Sequence, residues 1–163
     1  MSMWSGGRWR VRVPAQPSPS GQGRGTLVVV TGCDSGIGLS VAELLRRRGY
    51  VLAVSYLTSN PFEGVAGVHA CRMDLRVPAD VEAFVGFVNR LCASGYSLSA
   101  VVNNAGVALG GPVEDLPMSL FREVFEVNFF GAVASDSSSI ARRATSNRRR
   151  AVKNASAVES SSN

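Results

Sequence analysis

The stretch Leu27-Val28-Val29-Val30-Thr31-Gly32-Cys33-Asp34-Ser35-Gly36-Ile37-Gly38 decides the fold of this 163-residue chain. Four consecutive apolar residues, three of them β-branched, read as a strand buried on both faces. Three glycines follow, and from Gly36 onward the sequence takes helical spacing. A strand feeding a glycine-rich turn that opens a helix is a cradle for a dinucleotide. Gly32 lets the chain turn sharply, Gly36 removes a side chain where a pyrophosphate must approach the backbone, and Gly38 lets helix and strand pack closely. The N–H groups of the helix's first turn have no intrahelical partner and suit phosphate oxygens.

The flanking sequence extends this unit. Thr26–Thr31 is expected to be the first strand and Gly36–Arg48 its helix, with Ile37, Val41, Leu44 and Leu45 as the apolar stripe. Arg46, Arg47 and Arg48 load the last turn, where the helix dipole favours positive charge, and Gly49 ends it. Tyr50–Ser55, Val68–Met73 and Ala100–Asn103 read as further strands, each after a crossover long enough for parallel pairing. Pro78 at a helix start, with Val81, Phe84, Val85 and Val88, marks a second amphipathic helix. From Ser119, the spacing of Leu120, Phe121, Val124, Phe125 and Phe129 predicts a third, which carries Asn128. This alternation predicts an α/β fold, an open doubly wound parallel sheet ordered 3-2-1-4, with its crevice between strands 1 and 4. Residues 31–38 and 103–106 leave those strands at their carboxyl ends, so both loops meet there.

Four motifs in this order resemble the first half of the short-chain dehydrogenase/reductase family. They are T-G-x-x-x-G-x-G at 31–38, Asp74-Leu75, Asn103-Asn104-Ala105-Gly106, and Asn128 within Val127-Asn128-Phe129-Phe130-Gly131. The resemblance covers residues 26–133 and looks most like the branch of retinol, hydroxysteroid and hydroxybutyrate dehydrogenases. It implies a partial Rossmann-type NAD(P)-binding domain and hydride transfer between a nicotinamide cofactor and a secondary alcohol or carbonyl. Under it, the backbone of Ser35, Gly36 and Ile37 and the open turn at Gly32 hold the pyrophosphate, Thr31 braces the turn through its hydroxyl, and Gly38 completes the motif. Asp74 accepts a hydrogen bond from the adenine amino group, and Leu75 supplies a backbone contact. Asn104, Ala105 and Gly106 line the nicotinamide ribose, while Asn103 ties strand 4 to its neighbours. Asn128 matches the catalytic asparagine that holds a water for proton relay. A turn or capping aspartate is the alternative for Asp74, and a helix-kinking or capping residue for Asn128.

The family's general acid/base tyrosine, followed four residues later by a pKa-lowering lysine, finds no counterpart. Tyr50, Tyr56 and Tyr96 all precede Asn128, and Lys153, the only lysine, has no tyrosine four residues before it. Ser156, in Asn154-Ala155-Ser156-Ala157-Val158, is the candidate for the substrate-orienting serine. The chain is therefore expected to be catalytically incomplete, with a non-catalytic dinucleotide-binding or interaction protein as the alternative. Ser55-Tyr56-Leu57-Thr58, at the end of strand 2, offers neither a carboxylate for a ribose 2′-OH nor a base for a 2′-phosphate. Asp34, with no Arg or Lys beside Gly36, favours NAD over NADP.

Charge distribution separates this central segment from the ends. The net charge of +5 arises from residues 1–25, with four Arg and no acid, and 131–163, with five Arg and one Lys against two acids. Residues 26–130 carry seven Arg against ten Asp and Glu, which argues against specific nucleic-acid binding by the core. Both ends read as disordered tails, 1–25 basic and 134–163 rich in Ser and Arg. Cys33, Cys71 and Cys92 have neither disulfide-framework nor zinc spacing, and His69 has no ligand partner at metal-site spacing, so no metal is expected. No apolar run is long enough for a transmembrane helix, and a cytoplasmic location is expected, with mitochondrial targeting the alternative for the Arg- and Ser-bearing first 25 residues. An unpaired strand 4 implies self-association through an exposed sheet edge.

Overall fold

The computed structural model describes residues 25–136. Its elements are β1 (Gly25–Val30), α1 (Gly36–Arg47), β2 (Val51–Tyr56), β3 (Val68–Arg72), α2 (Pro78–Ala93), β4 (Tyr96–Val102), α3 (Met118–Phe125) and α4 (Ala132–Asp136). The four strands are parallel and stand in the expected order β3-β2-β1-β4. The expected tails and Ser156 lie outside the described residues, apart from residue 25, which opens β1, and 134–136, which lie in α4.

The period of two in a strand explains why β1 is apolar throughout. Leu27 and Val29 point to one face, where they join Ala53, Phe84, Val88 and Leu98 beneath α2. Val28 and Val30 point to the other, where they join Ala42, Leu52 and Val54 beneath α1. Phe84 is fully buried, and burying a side chain of that kind contributes about 1.5–3 kcal/mol. The two helices thus cover opposite faces of one sheet.

Three local readings are corrected. The packed stripe of α1 is Leu39, Val41, Ala42 and Leu45; Ile37 and Leu44 face outward, with Ile37 76% exposed. β4 begins at Tyr96 rather than Ala100, because Tyr96-Ser97-Leu98-Ser99 alternates and buries only Leu98 completely. A one-face strand has no continuous apolar run to announce it. Its pairing with β1 also slips by one residue, from Leu27↔Leu98 to Val28↔Ala100, which leaves Ser99 as a bulge.

The third helix begins at Met118 and does not stay α-helical. Glu126–Gly131 widens into a π-helical segment before α4 resumes the α-helix. Such widenings are rare and often lie at functional sites. Gly131 sits where an added Cβ would lie 2.9 Å from the Leu75 Cβ, so the absence of a side chain lets this helix approach the loop after β3.

Candidate functional site

Two loops leave adjacent strands and are stitched together by one hydroxyl and one amide. The Thr31 N–H donates to the Val102 carbonyl at 3.0 Å, extending the β1–β4 ladder by one rung. The Thr31 Oγ1 then accepts from the backbone N–H of both Asn104 and Ala105, each at 3.0 Å. The Asn104 Nδ2 returns the connection, donating to the carbonyls of Thr31 at 2.9 Å and Gly32 at 3.0 Å. Asn104 is therefore the tie between the loops, and Asn103, expected in that role, is exposed.

The glycines divide their work. Gly32 takes φ +70°, and a Cβ there would lie 2.7 Å from the Ala105 Cα. At Gly38 a Cβ would fall 2.1 Å from the Gly32 carbonyl oxygen and 2.4 Å from the Asn104 Nδ2, closer than any atoms tolerate. Gly36 is different: φ is +60° and nothing lies within 4 Å of an added Cβ. Two glycines are thus filled by protein, while the third faces open space at the start of α1. Ser35 precedes it in extended conformation and makes no side-chain cap, leaving the first-turn N–H groups without a side-chain acceptor from it.

The turn is held to β2 as well. The Gly32 N–H donates to the Ser55 Oγ at 3.1 Å and the Cys33 N–H to the Ser55 carbonyl at 2.8 Å. Sequence reasoning missed this role of Ser55; its signal was a lone hydroxyl directly after the apolar run Val51–Val54. Cys33 is fully buried, and burial, with the Asp34 carboxylate beside it, pushes its thiol up to about 12.

The Asp34 carboxylate reaches across to the loop after β2. Its Oδ1 accepts from the N–H of Thr58 at 2.7 Å and Ser59 at 3.1 Å and from the Thr58 Oγ1 at 2.9 Å. The Leu57 N–H donates to both oxygens, at 3.0 and 2.9 Å. Partial burial raises the carboxyl pKa, but these donors outweigh it and hold the group below its ordinary value.

A cleft of about 540 Å³ opens between these loops, a volume in the range of small-molecule sites. Gly32, Ser35, Ile37, Gly38, Asp74, Leu75, Asn104, Ala105 and Gly106 of the expected site line it, joined by Asp34 and the segment 55–58. Thr31 is buried and acts through its hydrogen bonds. The Asp74 carboxylate is engaged by Arg76: the Arg76 Nη2 donates to Oδ2 at 2.8 Å, and its Nε and backbone N–H donate to Oδ1 at 3.0 and 2.9 Å. That partner, unnoticed in the sequence, depresses the Asp74 pKa, chiefly through its side-chain hydrogen bond. The Arg76 side chain is half exposed, so solvent screening leaves the pair a weak contributor to stability.

Asn128 lies on the π-helical segment. Its Nδ2 donates to the Val107 carbonyl and its Oδ1 accepts from the Val107 N–H, both at 2.8 Å. The side chain thus pairs with the backbone after β4 as a strand neighbour would. It also packs on Gly106, where an added Cβ would lie 2.9 Å from the Oδ1.

The arrangement fits an extended anionic dinucleotide: an open glycine at a helix start, a cleft along the strand ends, and a carboxylate at its far side. Among the described residues no helix is long and apolar enough to cross a membrane.

Comparison with known proteins agrees. The sequence profile described as short chain dehydrogenase matches residues 26–148. The chain is 36% identical over 115 residues to 11-beta-hydroxysteroid dehydrogenase type 2 of Ovis aries, covering 65% of this chain and 26% of that protein. It is also 36% identical over 115 residues to retinol dehydrogenase 8 of Bos taurus, covering 65% of this chain and 36% of that one. Among solved structures, an alcohol dehydrogenase from Thermococcus sibiricus complexed with 5-hydroxy-NADP superposes with a TM-score of 0.63 at 27% identity, over 72% of this chain and 52% of that chain. The chain spans about a quarter to a third of those two curated relatives and about half of that solved one. With its parallel sheet, its glycine turn and this match over most of its length, the chain belongs to the short-chain dehydrogenase family.

Proposed function

We propose that residues 26–133 are the dinucleotide-binding portion of an oxidoreductase that acts on a secondary alcohol or carbonyl, with NAD as the preferred cofactor. The observation that carries this reading is Gly36, a positive-φ glycine facing open space beside a cleft lined by Asp74, Asn104 and Gly106. A nicotinamide cofactor bound there supplies the hydride chemistry. This chain's residues supply the hold: backbone N–H groups of Ser35, Gly36 and Ile37 for the pyrophosphate, Asp74 and Leu75 for the adenine, and Asn104, Ala105 and Gly106 for the nicotinamide ribose. A retinoid- or steroid-like substrate accords with the relatives' names, retinol dehydrogenase and 11-beta-hydroxysteroid dehydrogenase.

In this reading the 163 residues bind the cofactor without turning it over. They contain no tyrosine followed four residues later by lysine, and the Asn128 side chain spends one donor and one acceptor on Val107. A non-catalytic dinucleotide-binding or interaction protein is the second reading, and the same lack of a Tyr-x-x-x-Lys pair favours it. β4 pairs only with β1 among the described strands, which supports self-association along its open edge. A reducing, cytoplasmic setting accords with Cys33, Cys71 and Cys92, none of which forms a disulfide among the described residues. Titration with NADH, followed by nicotinamide fluorescence, tests the reading, alongside a turnover assay on secondary alcohols. Saturable binding without turnover is expected. Absence of binding by a folded chain overturns the dinucleotide assignment, and turnover by this chain overturns its incompleteness.

A further inference from the structure

The charges of the described residues are sorted by the two ends of the sheet. All four strands are parallel, so their carboxyl ends share one side with the cleft and their first residues share the opposite side. Helices α1 and α2 run back from the cleft and finish at that opposite side. There Arg46 and Arg47 stand in the last turn of α1, Arg48 caps it, and Arg90 stands in the last turn of α2. All four arginines are exposed. No Asp or Glu occurs in those last turns, in the links 48–50 and 94–95, or in the first two residues of any strand. One turn back in α1, Glu43 meets Arg47 at 3.7 Å, and the loop 57–67, which returns to the start of β3, holds one acid, Glu63. The cleft side is the reverse. Asp34, Asp74, Asp80, Glu114 and Asp115 follow the carboxyl ends of β1, β3 and β4, and the arginines beside them, Arg72 and Arg76, are paired with Asp80 and Asp74.

A cation at the end of each helix answers the helix dipole. That does not account for several arginines on one acid-poor end, nor for the chain that enters it. Arg24 stands directly before β1, and the amino-terminal sequence Arg8-Trp9-Arg10-Val11-Arg12-Val13 alternates basic with apolar residues. On α1, Leu44 is 43% exposed one turn before Arg47 and Arg48 and adds apolar surface among the charges.

We propose that this end of the sheet, together with residues 8–13, is a docking surface for an anionic lipid bilayer. The arginines are drawn to anionic headgroups while the acids of the cleft side are repelled by them, so attraction and repulsion orient the molecule in the same sense. Tryptophan and valine set between arginines suit the boundary of headgroups and acyl chains. A nucleic acid would satisfy the arginines and could stack on Trp9, but it offers Val11, Val13 and Leu44 no apolar phase to enter. Docked in this way, the cleft stands about 20 Å from the headgroups, the length of a strand of six residues, and opens toward water.

The experiment is co-sedimentation of the full chain with vesicles of phosphatidylcholine, alone or mixed equally with phosphatidylserine. Binding to the mixed vesicles is expected to be at least tenfold tighter and to weaken steeply as salt is raised. Both tryptophans of the chain, Trp4 and Trp9, belong to the amino-terminal segment, so their emission should shift to the blue on the mixed vesicles. Replacing Arg46, Arg47 and Arg90 together by Gln should weaken binding at least tenfold, and replacing them by Lys, which keeps the charge, should retain it. Arg46→Gln alone should weaken binding more than Arg122→Gln, which takes the same charge from α3, and this pair keeps the test decisive if the triple variant fails to fold. A folded Gln variant that binds the mixed vesicles as tightly as wild type, or equal losses in Arg46→Gln and Arg122→Gln, overturns the role of this end of the sheet. A wild type that binds the two kinds of vesicle equally, or that binds single-stranded RNA or duplex DNA more tightly than the mixed vesicles, overturns the lipid assignment.

Discussion

Replacing Gly38 by Ala is the sharpest test of how the two loops are joined. The new methyl would lie 2.1 Å from the Gly32 carbonyl oxygen and 2.4 Å from the Asn104 Nδ2, so α1 must move away or the Asn104 amide must leave. Overpacking of this kind costs about 1–3 kcal/mol. If Asn104 swings out, its two bonds to the Thr31 and Gly32 carbonyls are lost, at about 1 kcal/mol each. The expected loss is roughly 2–4 kcal/mol, a large part of the ~5–15 kcal/mol that holds a domain together. Gly36→Ala provides the contrast, because its methyl meets nothing within 4 Å and only the +60° φ is penalised, by about 1–2 kcal/mol. Thermal unfolding by circular dichroism should therefore place Gly38→Ala roughly 10 °C or more below wild type, at about 4 °C per kcal/mol, with Gly36→Ala between them. NADH affinity should show the reverse emphasis among folded protein, with Gly36→Ala losing at least tenfold. A Gly38→Ala protein that melts no lower than Gly36→Ala would refute the packing argument.

Other consequences are equally concrete. Asn128→Asp replaces the donor to the Val107 carbonyl with a second acceptor, so it should lower the melting temperature more than Asn128→Ala, which removes both bonds without adding repulsion. Asp34 has a folded-state pKa depressed below its unfolded value, so its contribution is present above about pH 4 and fades as pH falls through the folded value. Acid titration of stability should show wild type losing more than Asp34→Asn as the pH falls below about 4; equal slopes would remove Asp34 from the acid transition. The Cys33 thiol, buried and pushed up to about 12, should resist thiol reagents at pH 8 until the chain unfolds, which mass mapping of the labelled peptides would reveal.

The fold was legible because its decisive signals are short-range. A run such as Leu27–Val30 buried on two faces, followed by glycines at fixed offsets, specifies strand, turn and helix without information from elsewhere. β4 was half hidden because Tyr96–Ser99 presents only Leu98 to the core, and alternation over four residues is weak against the apolar run that follows. The roles of Asn103 and Asn104 could not be separated in sequence, since adjacent residues at a strand end face opposite ways and the register decides which faces β1. Asp34 looked like a charge beside a turn. Its partners lie 23 to 25 residues away, and their convergence is a property of the loop's shape. Arg76, two residues after Asp74, was close enough to notice, but nothing in the spacing says whether it turns back to the carboxylate or out to solvent.

The position of β1 in the middle of the sheet has a consequence for how the chain is made. The first of the described strands needs partners on both sides, and the second of them, β4, is the last of the described strands to be synthesised. The Thr31 hydroxyl waits for N–H groups 73 and 74 residues further on. Closing so long a loop is entropically costly and slow compared with the local β1–α1–β2 unit. The cleft therefore does not exist in any partly assembled intermediate that lacks β4, and a dinucleotide has nothing to grip until that closure is complete. Cofactor added to a refolding reaction should leave the folding rate unchanged and slow unfolding instead, acting as a latch on the finished sheet rather than a guide toward it.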